Sequence, residues 1–213
     1  MLLLAATFLA GLWIGDFNAV AHDYRAASKK MIDAQRAKDR SPENIAQAKQ
    51  QVAAAAAAFE TPHARIVFHR LLGVAAALVA ILVNSITITY FIGTSRWCKE
   101  VSETYGLPVE LARQSTGLKR RTFPWALAGI ATVIFLVGLG AAADPSGANR
   151  ANSAALVTPH YLAAMIGLVV VGLAFWIQGL RIAENYSTIE RILAEVRRIR
   201  AERGLKPLEQ TSP

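Results

Sequence analysis

Residues 71–94, 122–143 and 161–180 contain no charged side chain. Each run is close to or above the roughly 20 residues that carry an α-helix across a hydrocarbon core about 30 Å thick. Inside lipid every backbone N–H and C=O must be satisfied within the segment or in a closed barrel, and runs of this length meet that demand as helices. They therefore predict three membrane-spanning helices. Apolar residues make up 54% of the chain and mean hydropathy is +0.32. A soluble domain of this size does not need so much apolar side chain, and here it is gathered into runs rather than spread at amphipathic spacing.

A further apolar run, residues 1–21, carries Asp16 as its only charge. Ala19-Val20-Ala21 fits the small-residue pattern of a cleaved signal peptide. Against cleavage, no basic residue precedes the apolar stretch, and the helical pattern continues past Ala21. The expectation is a retained first span or signal anchor. The fold class is thus all-α: a polytopic helical membrane protein with a four-helix transmembrane bundle and an extracytoplasmic helical hairpin.

Charge orients the spans. The segment 93–121 holds Arg96, Lys99, Arg113, Lys119, Arg120 and Arg121, and the chain after Leu180 holds Arg181, Arg191, Arg197, Arg198, Arg200, Arg203 and Lys206. The connection 143–159 has only Arg150. The positive-inside rule places the two basic segments in the cytoplasm and the short connection outside. The expected order is a first span or anchor at 1–21, an outer hairpin at 22–62, and a second span at 63–94. A basic cytoplasmic loop follows at 95–121, a third span at 122–143, a short outer loop at 144–158 and a fourth span at 159–180. Residues 181–213 form a cytoplasmic amphipathic helix and tail. The compartment expected is a cell membrane, a bacterial inner membrane from the alanine-rich composition and short loops. The net charge of +8 is accounted for by this topology, so no nucleic-acid partner is expected.

Helix punctuation refines the outline. Ser41-Pro42 is an N-cap followed by proline at the first helical position. The same chemistry at Thr61-Pro62 and Thr158-Pro159 predicts helix starts there. The reading is a single helix over residues 2–38, a turn at 39–41, a return helix to Phe59 and a restart at Pro62. Ile45, Ala48, Val52, Ala55 and Phe59 form a seam facing Tyr24, Ala27 and Met31. Ile182, Tyr186, Ile189, Leu193 and Val196 form a second seam, set to pack on Val101 and Tyr105 until Gly106 or Pro108 ends that extension.

The residues able to carry chemistry are the four histidines. His22 closes the first run, His63 and His69 open the second span, and His160 opens the fourth, so all lie toward the outer face. A stripe of small and polar residues continues from each. Gly73, Ala76, Ala80, Asn84 and Thr87 follow His69; Ala164, Gly167, Val171, Ala174 and Gln178 follow His160; Asn18, Gly15, Gly11 and Thr7 precede His22. Residues at this spacing share one side of a helix. Small residues let transmembrane helices approach closely, and Asn, Gln and Thr hydrogen-bond across them. Asn84 and Gln178 are expected to satisfy each other or nearby backbone.

These stripes read first as helix packing, with the imidazoles as polar groups at helix ends. The sharper reading is a cofactor site, since two neutral imidazoles on facing helices ligate haem b or a transition metal. Arg65 and Arg70 stand where they would pair with propionates. His63 and His69 are six residues apart, about 240° of helical turn, and cannot face one centre. His160 with His69 or His63 is the candidate pair, and His22 the alternative partner. Asp16, the one acid in an apolar run, reads as a hydrated helix end, and Cys98 as a free thiol. The leading functional expectation is a non-enzymatic accessory or structural subunit, with the lipid bilayer, further copies of itself or other membrane subunits as partners. A b-type haem electron carrier and an outer-face pH or metal sensor are the alternatives.

Overall fold

The computed structural model describes residues 1–37, 41–147 and 149–206. Among these residues all regular structure is helical, in the order α1 (Leu2–Leu12), α2 (Phe17–Arg36), α3 (Pro42–Tyr105), α4 (Val109–Ala143) and α5 (Ser153–Glu202). Helices α3, α4 and α5 are each long and apolar enough to cross a membrane.

The expected single helix over 2–38 is two helices, bent by 50° at a short break. The break has a local cause. Gly15 takes φ +75°, a conformation costly for other residues, and Asp16 caps α2 by accepting the Ala19 N–H at 3.0 Å. Asp16 is therefore a helix cap, exposed at the bend.

The start at Ser41-Pro42 is found, with the Ser41 carbonyl accepting the Ile45 N–H. The turn expected over 39–41 lies outside the described residues for the most part, and so does the tail from 207 on. The starts expected at Pro62 and Pro159 are not found: both prolines lie inside helices, as does Pro124. A proline removes one i→i−4 bond and crowds the preceding turn, at about 3 kcal/mol in an exposed helix interior. Helix continues through Pro62 because the six alanines 53–58 before it favour helix in their own right. At Pro159, α5 has already begun at Ser153.

The chain divides into two compact units. Unit 1 comprises Met1–Val79 and Val133–Leu168, and unit 2 comprises Ala80–Thr132 and Val169–Pro213. In unit 1, α2 packs on the early part of α3 through an aromatic seam: Tyr24 stacks on Phe59 at 5.1 Å, as expected, and Phe17, outside the expected seam, lies 5.5 Å from it. Ala27 and Ala48 are buried on the same seam.

In unit 2, α3 ends as expected at Gly106, whose φ of +65° suits glycine. The Leu107 N–H returns to the Ser102 carbonyl at 2.9 Å, closing a Schellman motif. Leu107 joins Cys98, Leu111, Ile192 and Val196 in an apolar cluster bordered by Trp97, Val101, Tyr105, Ile189 and Ile199. The α5 seam is displaced from its expected place. Its buried residues are Asn185, Thr188, Ile192 and Val196, while Tyr186 is 61% exposed. Two of the four are polar, so hydrophobic periodicity alone assigns that face to water.

Candidate functional site

In unit 1, the His69 ring on α3 lies over Gly11 of α1. A Cβ at Gly11 would stand 3.1 Å from its Cε1. A Cβ there would crowd the ring by a few tenths of an ångström, and over the glycine Nδ1 reaches the Thr7 carbonyl at 3.0 Å. A carbonyl accepts only, so Nδ1–H donates and the lone pair of the neutral ring sits on Nε2. His160 on α5 repeats the arrangement against α4, where a Cβ at Gly140 would stand 3.0 Å from its Cε1. The His160 Nδ1 is enclosed and has no hydrogen-bond partner among the described residues.

The other two histidines have different company. His63 stacks on Phe59 at 4.9 Å and is exposed, and His22 is exposed with its Nδ1 3.5 Å from Asp23. Of the four candidates, His69 and His160 are the two seated on glycines of neighbouring helices. The arginines considered for propionates are held by the protein. Arg65 lies over the Trp13 ring, 4.4 Å from its centroid, and donates to the Trp13 carbonyl. Arg70 donates to Asp144 at 2.8 Å and to Ser146. Burial raises the Asp144 carboxyl, but the Ser146 hydroxyl and N–H together with Arg70 outweigh it and hold it below its ordinary 3.8. Among the described residues no three His, Cys, Asp or Glu side chains converge as a metal site.

Unit 2 contains a third polar side chain seated on a glycine. Asn84 of α3 is fully buried against Gly129 of α4, where a Cβ would stand 2.9 Å from its Oδ1. Its Nδ2 donates to the Ala80 carbonyl at 2.7 Å, and its Oδ1 accepts from Gln178 of α5 at 2.9 Å. The amide pair expected from the stripes is present, and Ala76, Ala80, Thr87, Val171 and Ala174 on those stripes are buried.

A second buried polar group was not legible in the sequence. The Ser115 hydroxyl of α4 donates to Asn185 Oδ1 at 2.8 Å, and Asn185 Nδ2 donates to the Tyr90 and Thr94 hydroxyls at 3.1 and 3.0 Å. Asn185 thereby ties α5 to both α3 and α4. The only sequence signal for it was an Asn and a Thr at spacing 3 within an otherwise amphipathic helix.

Fold and site together define a class: an all-helical protein with three helices fit to cross a membrane, whose buried polar side chains join one helix to another. No known family model, curated protein or solved structure matches this chain.

Proposed function

We propose that this chain is a multi-pass membrane protein serving as a non-enzymatic structural or accessory subunit. The observation that carries the reading is the use made of the polar groups in the apolar helices. His69 bonds α1, Asn84 and Gln178 bond each other, and Asn84 fits the notch at Gly129. Such bonds between helices hold an assembly in register. The outward faces are apolar, and the most apolar windows of α3, α4 and α5 are only 28, 17 and 22% buried within the chain. That area is suited to lipid and to further protein. Ser85, Thr89 and Gly93, four residues apart, are exposed on α3 and suit the close approach of a second copy.

In this reading residues 1–21 form the fourth span, bent at Gly15-Asp16, and the α2–α3 aromatic seam belongs to an extracytoplasmic hairpin over 22–62. The basic segment 95–121 and the C-terminus lie in the cytoplasm, in a bacterial inner membrane. Light scattering of the protein purified in mild detergent tests it: a dimer or larger, reduced by Gly93→Leu, is expected. A lone monomer without co-purifying subunits overturns it.

A second reading is favoured by one observation, the enclosed and unpartnered His160 Nδ1. It is a b-type haem protein with His160 and His69 as ligands. Oxidised and dithionite-reduced spectra from a haem-replete host decide it. A Soret band that shifts on reduction and is lost in His160→Ala supports haem, and aromatic absorbance alone rejects it.

A further inference from the structure

Where α3 ends and α4 begins, unit 2 carries an open groove of about 750 Å³. Both walls follow one helical pattern. Lys99, Ser102 and Glu103 lie on one face of α3, and Arg113, Thr116 and Arg120 lie on one face of α4. Gly117 in the second wall has nothing within 4 Å of a would-be Cβ, which leaves the interior open. The groove is strongly cationic. Lys99 is partly offset by Glu103 at 3.8 Å, while Arg113 and Arg120 are exposed with no carboxylate within 4.0 Å among the described residues.

An independent feature of the wall asks for an acceptor. Ser102 is 5% exposed, and its hydroxyl has no hydrogen-bond partner among the described residues. A buried hydroxyl without a partner is costly and is the exception in folded proteins. The wall thus combines two unpaired guanidinium groups, an ammonium and an unused hydroxyl, the donor set that phosphate oxygens take.

The position along the helices selects the kind of phosphate. Arg120 comes just before the apolar run that begins at Thr122, and Lys99 follows the run that ends at Thr94. At 1.5 Å per residue Lys99 is about 7 Å beyond that end. The headgroup layer is roughly 5–7 Å deep on each side of the hydrocarbon. The membrane-proximal end of the groove, at Arg120 and Lys99, therefore lies at the depth of lipid phosphates, and Ser102 and Arg113 line its continuation about 12–14 Å beyond the apolar runs.

We propose that this groove between the end of α3 and the start of α4 holds the phosphate of an anionic glycerophospholipid. The inference rests on the membrane reading of α3 and α4, and it does not depend on which face is cytoplasmic. The test is a native mass spectrometry titration of the full chain in mild detergent. The probes are short-chain phosphatidylglycerol, phosphatidylcholine and inorganic phosphate.

Phosphatidylglycerol is expected to bind more tightly than phosphatidylcholine. Each surface cation contributes about fivefold, so Arg113→Gln with Arg120→Gln weakens it about 25-fold. Arg197→Gln with Arg203→Gln removes equal charge from exposed positions of the chain outside the groove and is expected to change binding by less than about twofold. Ser102→Ala costs about tenfold, the scale of a hydrogen bond to a charged group.

Three results each overturn the proposal: equal binding of the two lipids, equal loss in the control pair, or inorganic phosphate binding with the same arginine dependence and displacing the lipid. The last identifies free phosphate as the ligand. Failure of the membrane reading is seen separately, as release of the chain from native membranes by alkaline carbonate. Micelles expose both ends of the helices, so orientation does not enter.

Discussion

Replacing Gly129 by alanine adds one carbon where α4 meets Asn84. That carbon would stand 2.9 Å from Asn84 Oδ1 and 3.1 Å from Nδ2. Neither atom is free to yield, since Oδ1 accepts from Gln178 and Nδ2 donates to Ala80. Three terms compete. Alanine in place of glycine favours helix by about 1 kcal/mol. Overpacking costs about 1–3 kcal/mol. A lost interhelical hydrogen bond in a membrane protein costs about 0.6 kcal/mol on average. The balance is a loss of roughly 0.6–2.6 kcal/mol.

Unfolding of the purified protein in detergent by increasing SDS, followed by tryptophan fluorescence, measures it. With Asn84→Ala already in place there is no amide to displace. The same Gly129→Ala change should then stabilise by up to about 1 kcal/mol. The reversal of sign between the two backgrounds is the signature of direct contact. Gly138→Ala, with nothing within 4 Å, should stabilise in the wild-type background. If Gly129→Ala is as stable as the wild type, or its effect is the same in both backgrounds, the notch is not what holds α3 against α4.

Asp144 is held below its ordinary 3.8 in the folded chain, so it binds protons less readily folded than unfolded. Its contribution to stability is complete well above pH 3.8 and is lost as pH falls through the lowered folded value. Asp144→Asn should flatten the stability profile below about pH 4 and leave its shape near neutrality unchanged, as read by SDS unfolding across pH. Cys98 is fully buried, and burial raises its thiol above its ordinary value. A maleimide reagent at neutral pH should leave it unmodified in the folded protein and label it after SDS unfolding, and rapid labelling before unfolding would contradict the packing around it. Asn185→Leu strands the donor or acceptor groups of Ser115, Tyr90 and Thr94. It should cost about 2–4 kcal/mol in the same unfolding assay, and a neutral result would mean that water satisfies them.

Much of the architecture was legible because its causes are local or periodic. Apolar runs mark helices fit for lipid whatever lies beside them. Gly106 ends α3, and Ser41-Pro42 starts it, through backbone preferences that act within a few residues. The stripes behind His69 and His160 are buried because helical phase alone puts small residues on one side. Thr61-Pro62 and Thr158-Pro159 misled because a proline marks a helix start only where the chain before it is not already helical. The break at Gly15-Asp16 was missed for the opposite reason. Gly15 was read as part of a stripe and Asp16 as a hydrated helix end, although a glycine followed by a capping acid is a local signal in its own right.

The site divides the same way. Residue types and spacing placed histidines toward one end of the apolar helices and paired Asn84 with Gln178. Sequence could not say that His69 would reach Thr7 while His63 turned to Phe59. Nor could it say that the glycines near the histidines would seat the imidazoles themselves. The amino-acid sequence by itself determined that this chain is helical, how much of it suits lipid, and which faces are small. Those properties follow from side-chain transfer energies and backbone preferences carried by each segment alone. The tertiary structure decided which polar group meets which partner: His69 with Thr7, Asn84 with Gln178 and Asn185 with Ser115. A hydrogen bond between helices depends on two positions distant in sequence arriving within about 3 Å, and no property of either segment sets that distance.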